Sequence, residues 1–274
     1  MPANDSGRVR ELLNRDETME AIDPLIVDGL NVTEQIRLLE DQGYTIIPDF
    51  LTNTQVSELK TAFNTDLPIT EMRAIGTESG RTWRANNFLA KTRAADYLFM
   101  NPRLRAIVQN FLADRTQINI TTLFNALPGE TKKFLHQDDG LWPIPRPHPH
   151  FLCNALIALD DFAVENGATH LVPYIHQWHD LEVDQAAQTI QVEMKAGSMV
   201  LRAGAMWHAG GANTSQPERM GVFILQGVSY LRPQEPQLIS VPAEVVKTLP
   251  EKMQRLLGYT VSVSGLMVAI RSMC

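Results

Sequence analysis

The chain has 274 residues, 44% hydrophobic and 20% charged, so it can bury a sizeable core without disulfide staples. Its net charge of −7 and the lack of any long Lys/Arg run argue against nucleic acid as a partner. It has two cysteines, no apolar leader after Met1-Pro2-Ala3-Asn4-Asp5-Ser6, and no apolar run near the ~20 residues of a membrane helix. A cytoplasmic protein that does not enter the membrane is expected.

Residues 1–32 are polar and acidic without periodicity and read as an N-terminal arm; residues 33–274 read as a single domain. Thr33 to Glu40 has helical spacing and stops at Gly43, a natural terminator. Tyr44-Thr45-Ile46-Ile47 before Pro48 predicts a short strand. A second helix follows a cap at Thr52 or Asn53, with Val56, Leu59 and Phe63 on one face. A third is expected from about Pro102 to Leu112, through Leu104, Ile107, Val108 and Phe111.

From Gln117 the pattern changes to short apolar runs separated by turn signals. Strands are predicted at 117–124, 151–159, 189–194, 198–202 and 221–228, which suggests a sandwich, barrel or jelly roll. Pro242 to about Leu257 returns to helical spacing. Within the 151–159 run, Cys153 reads as a small buried hydrophobe.

Three side chains stand out among the candidates for chemistry. His136-Gln137-Asp138 places an imidazole and a carboxylate two residues apart, on the same side of an extended segment. His208 lies between Gly204 and Gly210-Gly211, where small residues let the backbone approach a ligand closely. Two imidazoles and one carboxylate make the facial triad of non-haem iron(II) oxygenases, leaving adjacent coordination positions for cosubstrate and dioxygen. Arg219 follows His208 by eleven residues, and its guanidinium suits the far carboxylate of a chelating keto acid.

The ordered set of segments resembles the phytanoyl-CoA dioxygenase-like family of iron(II)/2-oxoglutarate oxygenases. It comprises Gln42 to Leu51, His136-Gln137-Asp138, Asn166-Gly167-Ala168-Thr169, Pro173-Tyr174-Ile175-His176-Gln177-Trp178, and His208 through Asn213 to Arg219. The resemblance implies a mainly β fold with flanking helices, a double-stranded β-helix or jelly roll. It implies iron(II) on His136, Asp138 and His208, with 2-oxoglutarate on Arg219 and Thr169 and with O2 as co-reactant. Similar enzymes often carry Gln where this chain has Lys133, a cation that suits an anionic group. Phe88, Leu89, Trp142 and Trp207 are expected as substrate neighbours, because pocket walls are typically apolar and aromatic.

The resemblance is closest to members that tailor small natural products such as terpenoid or alkaloid intermediates, by hydroxylation, desaturation, epoxidation or rearrangement. The carboxylate at Asp138 disfavours halogenation, which needs that coordination position vacant. The expected partner is a small molecule, and a homodimer is common among similar enzymes. Three rival readings remain open at this point: an acyl-CoA hydroxylase of the same family, a zinc or manganese enzyme on the same barrel, and a non-catalytic binding module.

Overall fold

The computed structural model describes residues 25–67, 73, 74, 79–113, 115–174, 176, 183–261, 267 and 268. Most of the expected N-terminal arm, His179 and Cys274 lie outside the described residues, as do Ile175, Gln177 and Trp178 of the motif around His176.

A small hairpin of β1 (Ile26–Val27) and β2 (Leu30–Asn31) leads into the helix Val32–Gln42. The Asn31 side chain caps that helix by accepting from the Glu34 N–H, and Gly43 ends it at φ 88°, where a side chain would be strained. β3 (Tyr44–Ile47) follows, then the helix Asn53–Asp66. Thr52 and Gln55 close a reciprocal capping box on its first turn. β4 (Arg73–Ala74) and β5 (Thr82–Asn86) precede a 3-10 turn at Phe88–Ala90 and helices at Asp96–Met100 and Pro102–Phe111.

The β-rich part begins with β6 (Thr116–Ala126) and β7 (Leu152–Ala158). It continues with β8 (Thr169–Leu171), β9 (Ile190–Val192), β10 (Met199–Ala203), β11 (His208–Ala209) and β12 (Arg219–Val228). Seven strands form one antiparallel sheet in the order β3-β10-β7-β12-β6-β5-β4, and β11-β8-β9 form a second. The two sheets face each other as a jelly roll, with the helices on the outer face of the larger one.

Side-chain parity divides the large sheet cleanly. Cys153, Ala155 and Ile157 of β7, with Met199, Leu201 and Ala203 of β10, join the core under the helices. Leu156 and Ala158 of β7, with Val200 of β10, join the core between the sheets, alongside Phe162, Leu171 and Met206. Cys153 is a free buried thiol, and burial pushes its pKa up to about 12.

The C-terminal helical stretch departs from the single periodic run that the sequence suggests. It breaks into helices Ala243–Thr248 and Glu251–Leu256. Pro250 caps the second; lacking an N–H, it cannot continue the first.

Candidate metal centre and active site

The segment from Lys133 to His136 runs antiparallel to His208–Gly210. Lys133 donates its N–H to the Gly210 carbonyl at 2.9 Å, and His136 and His208 exchange backbone bonds at 3.0 Å each way. On its other edge β11 pairs with β8. Both histidines are therefore fixed by backbone, His208 on the edge strand β11 of the smaller sheet and His136 on the segment bridged to it.

Each imidazole has its Nδ1 turned to a carbonyl two residues back: His136 to Phe134 at 3.2 Å and His208 to Met206 at 2.9 Å. With Nδ1–H donating to that oxygen, Nε2 carries the free lone pair of the neutral ring. Both Nε2 atoms face the Asp138 carboxylate, at 4.0 Å from Oδ1 for His136 and 3.7 Å from Oδ2 for His208. The ligand atoms of the three residues lie within 4.8 Å of one another, a grouping of donors that fits a divalent ion.

The electrostatics prepare these groups for a cation. Burial pushes His208 down to about 3, aided by the neighbouring Arg202, so its ring stays neutral across ordinary pH. Burial pushes Asp138 up, but His208, Arg202 and His136 and a hydrogen bond from Asn154 outweigh it, and the carboxyl sits below its usual range.

The triad opens into a cavity of about 630 Å³. Arg219 lines it, only 4% exposed, with Nε donating to the Asn166 carbonyl at 2.9 Å and its guanidinium carbon 4.3 Å from the Phe162 ring centre. Burial draws its pKa down to about 10, so it remains a cation. Thr169, the first residue of β8, lines the same cavity. The turn before it needs glycine: at Gly167 (φ +88°) an added Cβ would sit 2.6 Å from the Gly211 carbonyl oxygen. That close approach ties the turn carrying Thr169 to the segment that follows β11.

Lys133 also reaches the cavity, but its ammonium is paired with Glu130 at 2.6 Å. Glu130 further accepts from Thr82 Oγ1 at 2.6 Å, from the Thr131 N–H at 2.8 Å and from Ser79. These bonds overcome the burial that would raise it, and its pKa falls to about 2.

The four expected substrate neighbours do not line this cavity. Phe88 and Leu89 are 0% and 1% exposed and join the core beneath the helices, where Phe88 meets Phe63 edge-on at 5.7 Å. Trp142 packs on that same core, with its ring centre 6.0 Å from that of Phe151. Trp207 packs in a small satellite cluster with Leu135, Val172 and Ala209. Adjacent residues in extended chain point to opposite sides, so a tryptophan next to a ligand histidine faces away from the site. The apolar residues that do reach the cavity include Phe134 and Leu141 at the mouth, 72% and 68% exposed, with Leu156 and Phe223 inside.

The other described histidines are occupied elsewhere. His148 lies 3.7 Å from Asp139, and His150 stacks on Phe111 and approaches Glu40 at 3.4 Å. His170 bonds to the Thr189 hydroxyl at 2.7 Å, and His176 to the Glu40 carbonyl at 3.0 Å. Sequence reasoning missed Arg84, Asn154 and Arg202. The signal was a charge at an inward parity position of an apolar strand, Arg202 within Met199–Ala203.

A family model described as Phytanoyl-CoA dioxygenase (PhyH) matches residues 39–221, about two thirds of the chain. The chain belongs to the PhyH family. This PhyH chain is 29% identical over 257 residues to the dioxygenase FUM3 of Gibberella moniliformis, covering 85% of this chain and 84% of that one. Among solved structures, it resembles the non-heme alpha-ketoglutarate-dependent carbocyclase SnoK from nogalamycin biosynthesis. That match has a TM-score of 0.65 at 22% identity, over 75% of this chain and 87% of that one. HygX from Streptomyces hygroscopicus, solved with nickel and 2-oxoglutarate, also matches at TM-score 0.65, with 15% identity over 77% of this chain and 91% of that one. The likeness to both structures establishes the jelly-roll fold, and the PhyH family makes the chain an enzyme of the dioxygenase class. No helix among the described residues is long and apolar enough to cross a membrane.

Proposed function

We propose that this PhyH chain is an iron(II)- and 2-oxoglutarate-dependent dioxygenase that oxidises a small natural-product intermediate, of the terpenoid or alkaloid kind. The reading is carried by the convergence of His136, Asp138 and His208 at the wall of a cavity that also holds a buried Arg219. Nickel and 2-oxoglutarate together in HygX support the cofactor pair, and the biosynthetic setting of SnoK supports a natural-product substrate; the terpenoid or alkaloid class rests on the resemblance.

His136 Nε2, His208 Nε2 and one Asp138 oxygen would hold the iron, an assignment that the turned Nδ1 atoms of both rings and the neutral His208 imidazole fit. When bound, the iron with 2-oxoglutarate and O2 supplies the oxidising power for C–H cleavage, releasing succinate and CO2. The protein's own work is positional. Arg219 takes the distal carboxylate of the cosubstrate, where a desolvated guanidinium offers charge-assisted bonds. Thr169 adds a hydroxyl to the same wall, and Lys133 a cation shared with Glu130. Leu156 and Phe223 keep the interior apolar, which strengthens each of these contacts by excluding water.

The mouth favours a hydrocarbon body over an acyl-CoA: the exposed lining residues are Phe134, Leu141, Gln234 and His136, with no exposed lysine or arginine among them, where a CoA tail would call for cations. The zinc or manganese reading gives Arg219 no task. A cytoplasmic location is carried forward with this proposal from the sequence reading, and a homodimer from the resemblance.

The test begins anaerobically. Iron(II) and 2-oxoglutarate should give the weak visible charge-transfer band of a bidentate chelate. Aerobic screening of terpenoid, alkaloid and acyl-CoA panels should then find substrate-dependent succinate release in the first two. Absence of the band defeats the cosubstrate assignment; release with acyl-CoA alone defeats the substrate class.

A further inference from the structure

Arg202 has no role in the reading above, yet it is a buried cation beside the candidate metal ligand Asp138. It sits on β10, paired across the backbone with Asn154 of β7, and both side chains point between the sheets toward Asp138. Arg202 Nη2 lies 3.4 Å from Asp138 Oδ2, the oxygen that also accepts from Asn154 Nδ2. Its guanidinium carbon is 5.9 Å from the centre of the Phe223 ring. The residue is 4% exposed and lines the cavity, and its Nε and Nη1 are buried with no hydrogen-bond partner among the described residues.

A guanidinium carries five N–H donors, and burying them without acceptors is costly. Here one long contact to Asp138 is the only hydrogen bond that the described residues provide. An ion held by Asp138 would draw on the same carboxylate, so the counter-charge that Arg202 has would then be shared. A second anion is called for at that spot. A 2-oxo acid chelating an ion there brings its own carboxylate next to Asp138. Arg219, fixed by Asn166 and the Phe162 ring on another strand, is left for the far end of the same molecule.

We infer that Arg202 is a second carboxylate-binding residue of the cavity, engaging the metal-chelating carboxylate of the 2-oxo acid while Arg219 engages the distal one. This rests on the proposed cosubstrate chemistry. Arg202 thereby sets the lie of the chelate against Asp138, and it gives the site an affinity for 2-oxo acids that lack a distal carboxylate.

The probe is 2-oxobutyrate, which has the chelating end and no second carboxylate. It is titrated anaerobically into the iron(II) protein and followed by the visible chelate band, with no turnover involved. Arg202→Gln should weaken 2-oxobutyrate about tenfold or more, Arg202→Lys by less, and Arg219→Ala by about twofold at most. Manganese(II) binding, read by EPR, reports separately whether Asp138 still holds an ion, and thermal melting reports folding. An Arg202→Gln protein that binds manganese and 2-oxobutyrate as the wild type does overturns the inference. So does one that loses manganese affinity but, once saturated with iron, chelates 2-oxobutyrate as before, since Arg202 would then act on Asp138 alone. Should the Gln variant not fold, the Lys variant decides, and an unchanged 2-oxobutyrate affinity there counts against the inference. A wild type that shows no band even with 2-oxoglutarate sinks the proposed function itself, and this contact with it.

Discussion

His136 and His208 are locked side by side: each donates its backbone N–H to the other's carbonyl at 3.0 Å, and their rings, tilted by 49°, have centres 4.2 Å apart. The two differ in burial, with side chains 45% and 7% exposed. Replacement by alanine should therefore separate chemistry from stability. Both His136→Ala and His208→Ala should abolish succinate formation. His136→Ala should melt within a degree or two of the wild type, whereas His208→Ala should melt several degrees lower, at a cost of about 1–3 kcal/mol for orphaned buried groups. Equal Tm values for the two variants would contradict this account of their burial.

Arg219 is buried, and its Nε is committed to the Asn166 carbonyl. Arg219→Ala should raise the 2-oxoglutarate requirement by an amount matching the loss of a charge-assisted bond, about 1.5–3 kcal/mol. Succinate yield per substrate turned over should hold once 2-oxoglutarate saturates. An unchanged KM for 2-oxoglutarate would remove Arg219 as its anchor.

Local signals in the sequence were legible where one residue type has one physical use. Gly43 at φ 88° and the Thr52–Gln55 box sit where the sequence places helix boundaries. The apolar runs at 117–124, 151–159 and 221–228 became β6, β7 and β12. What failed depended on which way a side chain points. Trp207 adjoins His208, but one step along extended backbone turns a side chain to the opposite face, and Trp142 is separated from Asp138 by the 3-10 turn Asp139–Leu141. Phe88 was expected in the cavity because it is aromatic, but it belongs to the helical layer with Phe63 and Phe99. Arg202 looked like the polar end of a strand, and only the register with Asn154 shows it aimed at Asp138.

Glu235 is 9% exposed and accepts from the Thr121 N–H at 2.8 Å and the Gln237 amide at 3.1 Å, while its Oε1 has no partner among the described residues. Burial outweighs these bonds and pushes its pKa from 4.5 up to about 7. Between those values the folded chain holds a proton that the unfolded chain has lost. Its contribution is therefore greatest below pH 4.5 and disappears as pH rises through about 7. Glu235→Gln should remove this slope, raising Tm at pH 8 relative to wild type by more than at pH 5. Melting curves at the two pH values check it; parallel shifts at both would mean that Glu235 is ionised throughout.

Phe134 and Leu141 flank His136 and Asp138 at the cavity mouth, largely exposed, whereas Phe88 is fully buried in the core. An exposed apolar side chain contributes little to folding, and one that covers substrate contributes to binding. Phe134→Ala and Leu141→Ala should leave Tm nearly unchanged and raise the substrate KM, each by about 1–3 kcal/mol of lost apolar contact. Phe88→Ala should do the reverse: a core cavity costs about 3–5 kcal/mol of stability, while the KM of the folded fraction stays at the wild-type value. Measuring Tm and KM on the three variants side by side places the substrate. A KM that rises with Phe88→Ala but not with either mouth variant would put the substrate under the helices, away from the jelly-roll interior where the three ligand side chains meet.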